Sequence, residues 1–191
     1  MASNRVPGKR LAAGIGRESE LVALCVALIG GAKGLSAAER SLIAKTATHV
    51  LPPALVETTR RAIIKGLDPL GDAFALVRSA LARRSAGAVY TPAPIVKSMM
   101  TWLASQGAPA RIVDPGAGSG RFILAAGEAF PKAQLVAVEL DPLAALMLRA
   151  NLAVRGWSGR ATVHVKDYRE LTLPRCTGTT AFIGNPPYVR H

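Results

Sequence analysis

Aromatic side chains are scarce in this chain: 4 Phe, 3 Tyr and 2 Trp among 191 residues, 5% in all. Any surface that stacks on flat ligands therefore rests on very few residues, and each Tyr counts. Cysteine is scarcer still. Cys25 and Cys176 are the only two, which excludes a disulfide framework and a thiolate metal site. Cys25 falls in the apolar run LVALCVALIG and reads as core; Cys176 falls in the loop-like PRCTGT and is assigned no role. Both suit a reducing compartment. Long hydrophobic runs are missing as well. The stretch 21–30 is too short to cross a bilayer, and Glu18 and Glu20 directly before it are unlike an export signal, so it reads as a buried helix.

Acidic residues are few, 12 against 24 Lys and Arg, for a net charge of +12. The excess is spread: 13 basic against 6 acidic residues over 1–85, and 11 against 6 over 86–191. Such a balance suits a protein working beside a polyanion, although solubility alone would give the same sign. Half the residues are apolar, enough for a packed core and against disorder. No internal repeat or low-complexity tract interrupts the chain.

Residues 1–17, Gly-rich and basic, read as a flexible tail. From 18 to 85 the pattern is helical, rich in Ala and Leu, with breaks at Gly30-Gly31, Gly34, Pro52-Pro53 and Gly66. Three or four short helices follow. Ser36 with Glu39 three residues on matches a capping box, and Asp68-Pro69 pairs a cap with a first-turn proline. His49 reads as a helix-end or surface residue. After a Gly/Pro-rich loop the character changes over 86–191. A helix is expected from about Pro94 to Ser105, then strands at 111–115, 134–140, 161–167 and 179–184. Helices between them run through about Phe130 and from Asp141-Pro142 to about Arg155. Continuous apolar strands alternating with helices predict a parallel sheet covered on both faces, an α/β fold.

The chemistry gathers at the carboxyl ends of those strands, where open parallel sheets bind ligands. Asp114-Pro-Gly-Ala-Gly-Ser-Gly120 follows the first strand. Gly116, Gly118 and Gly120 let the backbone turn sharply and let a ligand approach it. The spacing is GxGxG, one residue short of the dinucleotide fingerprint GxGxxG, which argues against a nicotinamide-dependent oxidoreductase. Asp114 would repel a phosphate, and it is better suited to a cationic or amino-bearing ligand such as the methionine part of S-adenosylmethionine; as a helix cap it is the blander reading. Glu139 ends the second strand, with two acceptor oxygens for a ribose diol. Asp167 ends the third, placed to accept from an adenine amino group, with Tyr168 beside it to pack on the ring. Asp141 is better explained as a helix cap than as a ligand contact.

Asn185-Pro186-Pro187-Tyr188 follows the fourth strand. Two prolines fix φ and remove two backbone donors, leaving a stiff turn that presents the Asn185 side-chain oxygen and the Pro186 carbonyl as acceptors. An exocyclic amine is a poor nucleophile because its lone pair is spread into the ring. Two acceptors on its N–H bonds favour a localised lone pair that can take a methyl group directly. Tyr188 would stack on the planar target, which in a duplex must first be swung out. As a bare tetrapeptide the stretch reads better as a rigid proline loop with a packing tyrosine; the acid series before it argues otherwise.

Taken together, these residues resemble the amino-methylating DNA methyltransferases, specifically the adenine-N6 enzymes of restriction–modification and related phage-defence systems. The resemblance covers about 86–191. AVYTPAPIVKSMM resembles the segment leading into the glycine motif, with Thr91 and Pro92 where the family closes over the methionine end of the cofactor. DPGAGSGRF resembles the cofactor loop, with Phe122 in the place of a family Phe; VELDP, KDY and NPPYVRH resemble the ribose-binding, adenine-binding and catalytic segments. The resemblance implies a Rossmann-like class I methyltransferase sheet, incomplete here at about four parallel strands and preceded by a small helical region. It also implies S-adenosyl-L-methionine as cofactor, double-stranded DNA as partner, no metal, no membrane, and a cytoplasmic, nucleoid-associated setting in bacteria. Protein-glutamine N5 methyltransferases acting on release factors share the glycine and NPPY turns and stay open as an alternative, with RNA methylation a smaller one. The family's sheet usually has seven strands and a target-recognition region, so the chain is expected to be a fragment, an inactive remnant or one piece of a split enzyme needing a further polypeptide. On that basis the isolated chain should bind cofactor weakly at best.

Overall fold

The computed structural model describes residues 14–46, 49–78 and 91–185. Four helices come first: α1 (Glu18–Ile29), α2 (Ala37–Lys45), α3 (Pro53–Ile64) and α4 (Pro69–Val77). Then α5 (Ala93–Ser105) leads into β1 (Arg111–Asp114), α6 (Arg121–Ala129), β2 (Gln134–Glu139), α7 (Pro142–Val154), β3 (Ala161–Val165), a 3-10 turn (Tyr168–Glu170) and β4 (Thr180–Phe182).

Local chemistry sets the helix starts. The Ser36 hydroxyl accepts from the Glu39 N–H at 3.2 Å while the Glu39 carboxylate accepts from the Ser36 N–H at 2.7 Å, a reciprocal capping box. Asp68 accepts from the Gly71 N–H at 2.9 Å to begin α4, and Asp141 accepts from the Leu143 N–H at 2.9 Å to begin α7. A proline opens each of these two helices, where its missing N–H costs nothing.

The sheet is parallel throughout, in the order β3-β2-β1-β4. Both crossovers, β1-α6-β2 and β2-α7-β3, step the sheet the same way, so right-handedness puts α6 and α7 on one face. Ile112, Leu135, Ala137 and Val163 of the strands pack there with Phe122, Ile123 and Ala126 of α6, Ala145, Leu148 and Leu152 of α7, and Val96, Met100 and Leu103 of α5. The connection from β3 back to β4 carries, among the described residues, only the 3-10 turn. Helical cover is thus concentrated on one face, where the sequence pattern predicts two. On the other face Val113, Val136 and Val138 are still buried, while Phe182 is largely exposed. There Arg111 ties the connection to β1 by donating to the Pro174 carbonyl at 2.8 Å.

A second apolar cluster lies on the far side of α7. Leu143, Leu146, Met147 and Ala150 of α7 pack against Leu21, Leu24, Cys25 and Leu28 of α1, Ile63 of α3 and Leu70 and Phe74 of α4. Cys25 is a core residue, and burial pushes its thiol pKa far above the ordinary range. Two charged contacts stitch the same boundary. The fully buried Glu39 carboxylate accepts from Arg149 Nε at 2.6 Å, and Arg78 bridges Glu18 and Asp141. No helix among the described residues is long and apolar enough to cross a membrane.

Candidate active site

The glycine turn is held from three sides. The Ala117 N–H donates to the Val138 carbonyl at 2.9 Å, which folds the turn over β2. The Gly118 N–H donates to the Glu139 carboxylate at 2.7 Å. Asn151, buried in α7, donates from its amide to the Ser119 carbonyl at 3.0 Å. Gly120 ends the turn at φ +105°, and a Cβ there would lie 2.5 Å from Leu148 Cδ1. Only glycine meets both demands.

Asp114 lies beneath this turn and is completely buried. One carboxylate oxygen accepts weakly from the Gly116 N–H at 3.4 Å; the other, Oδ2, has no hydrogen-bond partner. Burial pushes its pKa up to about 7, helped by the nearby Glu139 charge and opposed by the backbone N–H groups of Gly116 and Ile123. A Cβ on Gly184 would stand 2.5 Å from Asp114 Oδ1, so the backbone after β4 runs directly over this carboxylate. Glu139 is also pushed upward by burial, but both its oxygens are used: one by Gly118, the other by the Asp141 N–H at 2.8 Å.

The third acid is built differently. Asp167 follows β3, and its carboxylate takes the Arg169 N–H at 2.9 Å and the Arg169 guanidinium at 2.6 Å and 3.1 Å. The Arg169 side chain and its N–H hold the Asp167 pKa down at about 2. Tyr168 is half exposed, on the 3-10 turn that Asp167 caps. β3 stops at Val165, short of the expected end: the Lys166 N–H makes the last ladder bond, to the Glu139 carbonyl at 3.2 Å, and Asp167 then caps the 3-10 turn.

Asn185 stands just past β4. Its amide nitrogen donates to the Thr91 hydroxyl at 3.2 Å across 94 residues. The Thr91 carbonyl accepts from Arg121 Nη1 at 3.1 Å, and Arg121 Nε faces Asp68 at 3.3 Å. Phe122, the next residue, is buried in the core under the turn. Pro186, Pro187 and Tyr188 lie outside the described residues. The structure therefore brings together Thr91 with Asn185, and Asp114 with Glu139 and the glycines. Asp167 and Tyr168 sit at the next strand end without a contact to either group among the bonds described above. Arg121, Asn151 and Gly184 carry no motif of their own and escape sequence reasoning. An Asn in a helix whose only other polar residue is Arg149 was the one available signal for Asn151. Among the described residues no cluster of His, Cys, Asp and Glu could hold a metal.

A glycine turn after the first strand of a parallel sheet, with carboxylates at successive strand ends, defines a Rossmann-like ligand-binding α/β fold. Within that class the chain belongs to the N-6 DNA Methylase family, whose model matches residues 65–191. It is 66% identical over 182 residues to the Type II methyltransferase M.XamI of Xanthomonas campestris pv. amaranthicola, covering 91% of this chain and 33% of that protein. It is 32% identical over 85 residues to the tRNA1(Val) (adenine(37)-N6)-methyltransferase of Porphyromonas gingivalis, covering 43% of this chain and 33% of that one. Among solved structures, a type I restriction-modification system methyltransferase subunit from Streptococcus thermophilus shares 25% identity over 72% of this chain and 33% of its own, with a TM-score of 0.43. The chain spans about a third of the length of the curated relatives it matches.

Proposed function

We propose that this protein is an S-adenosyl-L-methionine-dependent DNA methyltransferase that methylates N6 of adenine, as part of a restriction–modification or phage-defence system. The observation that carries the reading is the placement of Asn185. The turn after β4 passes over the buried Asp114, and the Asn185 amide is fixed by Thr91 beside the glycine turn. Membership of the N-6 DNA Methylase family supports it.

The donor set fits the cofactor. Asp114 Oδ2 is a buried acceptor lacking a partner, the arrangement expected opposite an amino or cationic group. The bare backbone of Gly116, Gly118 and Gly120 admits a ligand closely. Glu139, pinned by two N–H donors, keeps lone pairs for a ribose diol. Asp167 and Tyr168 would take the adenine amine and ring, Thr91 would close the methionine side, and Phe122, buried beneath the turn, would support the cofactor loop. When bound, the cofactor supplies a methyl group on a positively charged sulfur. Asn185 Oδ1 accepts one N–H of the target amine and the Pro186 carbonyl the other, localising the nitrogen lone pair for attack. By the motif, Pro187 would stiffen the chain after Asn185 and Tyr188 would stack on the flipped base. The methyl–sulfur bond would break as the new C–N bond forms, leaving a neutral thioether, and the target nitrogen would shed its extra proton to solvent while Asn185 and Pro186 hold its N–H bonds.

The partner on this reading is double-stranded DNA, drawn by the +12 charge, in a cytoplasmic, nucleoid-associated setting. The test is mass spectrometry of DNA incubated with the full-length protein and cofactor. N6-methyladenine is expected, and Asn185→Ala should abolish it while leaving cofactor binding nearly intact. An active Asn185→Ala variant, or methylated glutamine in a release-factor peptide with unmodified DNA, would overturn the assignment.

A further inference from the structure

We propose that Arg121, anchored by Asp68, is a positioning residue that sets the orientation of the Asn185 amide through Thr91. The inference rests on Asn185 being the residue that receives the target amine. An Asn side chain has two nearly isosteric faces, an oxygen that accepts and a nitrogen that donates, and only the oxygen can take an amine N–H. The Thr91 hydroxyl takes the nitrogen face at 3.2 Å, which turns Oδ1 away from Thr91 and leaves it to accept from substrate.

The orientation is only as firm as Thr91, and Thr91 is restrained three ways. It is buried, at 8% exposure. It precedes Pro92, which confines its backbone to extended conformations. Its carbonyl is held by Arg121 Nη1 at 3.1 Å. Arg121 is the first residue of α6, immediately after the glycine turn, and its Nε faces Asp68 Oδ2 at 3.3 Å. The other oxygen of Asp68 caps α4. One guanidinium fork thus spans two acceptors from separate parts of the chain, a task a single ammonium point cannot reproduce. The N-terminal helices, the cofactor turn and Asn185 are thereby held in one register.

The experiment combines methyl-transfer kinetics on the full-length protein with NMR of the Asn185 side-chain NH2 in the 15N-labelled full chain. Thr91→Val removes the acceptor at nearly constant shape. It should shift the Asn185 NH2 resonances, speed their exchange with water and lower kcat by about tenfold or more. Thr91→Ser should rescue most of both. Arg121→Lys keeps the charge but loses the fork. It should move the same resonances without touching Asn185 and lower kcat by more than it raises KM for cofactor, with Asp68→Asn a milder version should Arg121 variants fold poorly. Unchanged Asn185 resonances in Thr91→Val and Arg121→Lys overturn the inference, as does full kcat in both variants while Asn185→Ala is dead. Full activity of Asn185→Ala instead removes the reading beneath it, and the inference with it.

Discussion

The two sides of the candidate site are built on opposite principles. At the ends of β1 and β2, Asp114 is fully buried with one oxygen left unpartnered, Glu139 is half-buried and pinned by two backbone N–H groups, and both are pushed toward protonation by lost water. At the end of β3, Asp167 is clamped by a surface arginine and held firmly ionised. A buried carboxylate is costly to keep and therefore fixed in place. A surface ion pair is screened and easily exchanged for another partner. On the proposed reading, the first side would be preorganised for the cofactor and the second could trade Arg169 for an incoming amine.

The largest effect should come from disturbing the rigid side. Gly120→Ala forces a left-handed φ on a residue with a Cβ and drives that Cβ into Leu148, a combined loss of about 2–4 kcal/mol. Denaturant unfolding of the full chain checks it. Next, Glu139→Ala strands the Gly118 and Asp141 N–H groups, at about 1–3 kcal/mol, and calorimetry should show cofactor affinity falling with it. Third comes pH. Asp114 has a folded-state pKa of about 7 against an ordinary 3.8, so the folded form holds a proton the unfolded chain has released. Its contribution to stability is therefore greatest below about pH 4 and declines as pH rises to about 7, after which it is flat. Cofactor affinity should move the other way, climbing through pH 7 as Asp114 ionises opposite a cationic group. Asp114→Asn should flatten both profiles, read by thermal melts and titration calorimetry from pH 5 to 8. The smallest effect belongs to the exposed side: Arg169→Ala should leave the melting temperature unchanged, while cofactor affinity rises slightly as Asp167 is freed. A large drop in melting temperature would break the contrast.

What could be read from the sequence was local. Ser36 with Glu39, Asp68 with Pro69 and Asp141 with Pro142 are short-range devices, and each begins a helix as its spacing predicts. The four strands follow from continuous apolar runs. Their ends were less legible, since β3 stops two residues early to let Asp167 cap a turn. Contacts across long separations left no trace. Asn185 meets Thr91 from 94 residues away and Glu39 meets Arg149 from 110, and no periodicity encodes such a meeting. Gly184 read as the plain end of a strand, because only the folded chain reveals the carboxylate beneath it. The partner of Asp167 was missed for the opposite reason: Arg169 is so near in sequence that it looked like background charge.

The helix α7 is apolar nearly all the way round, and that bears on how this protein can be taken apart. One flank serves the strands, the other is wrapped by Leu21, Cys25, Ile63 and Phe74. Trimming away the first four helices would not release a tidy catalytic module. It would bare a greasy strip along Leu143, Leu146, Met147 and Ala150, and leave the Arg149 guanidinium without its acid.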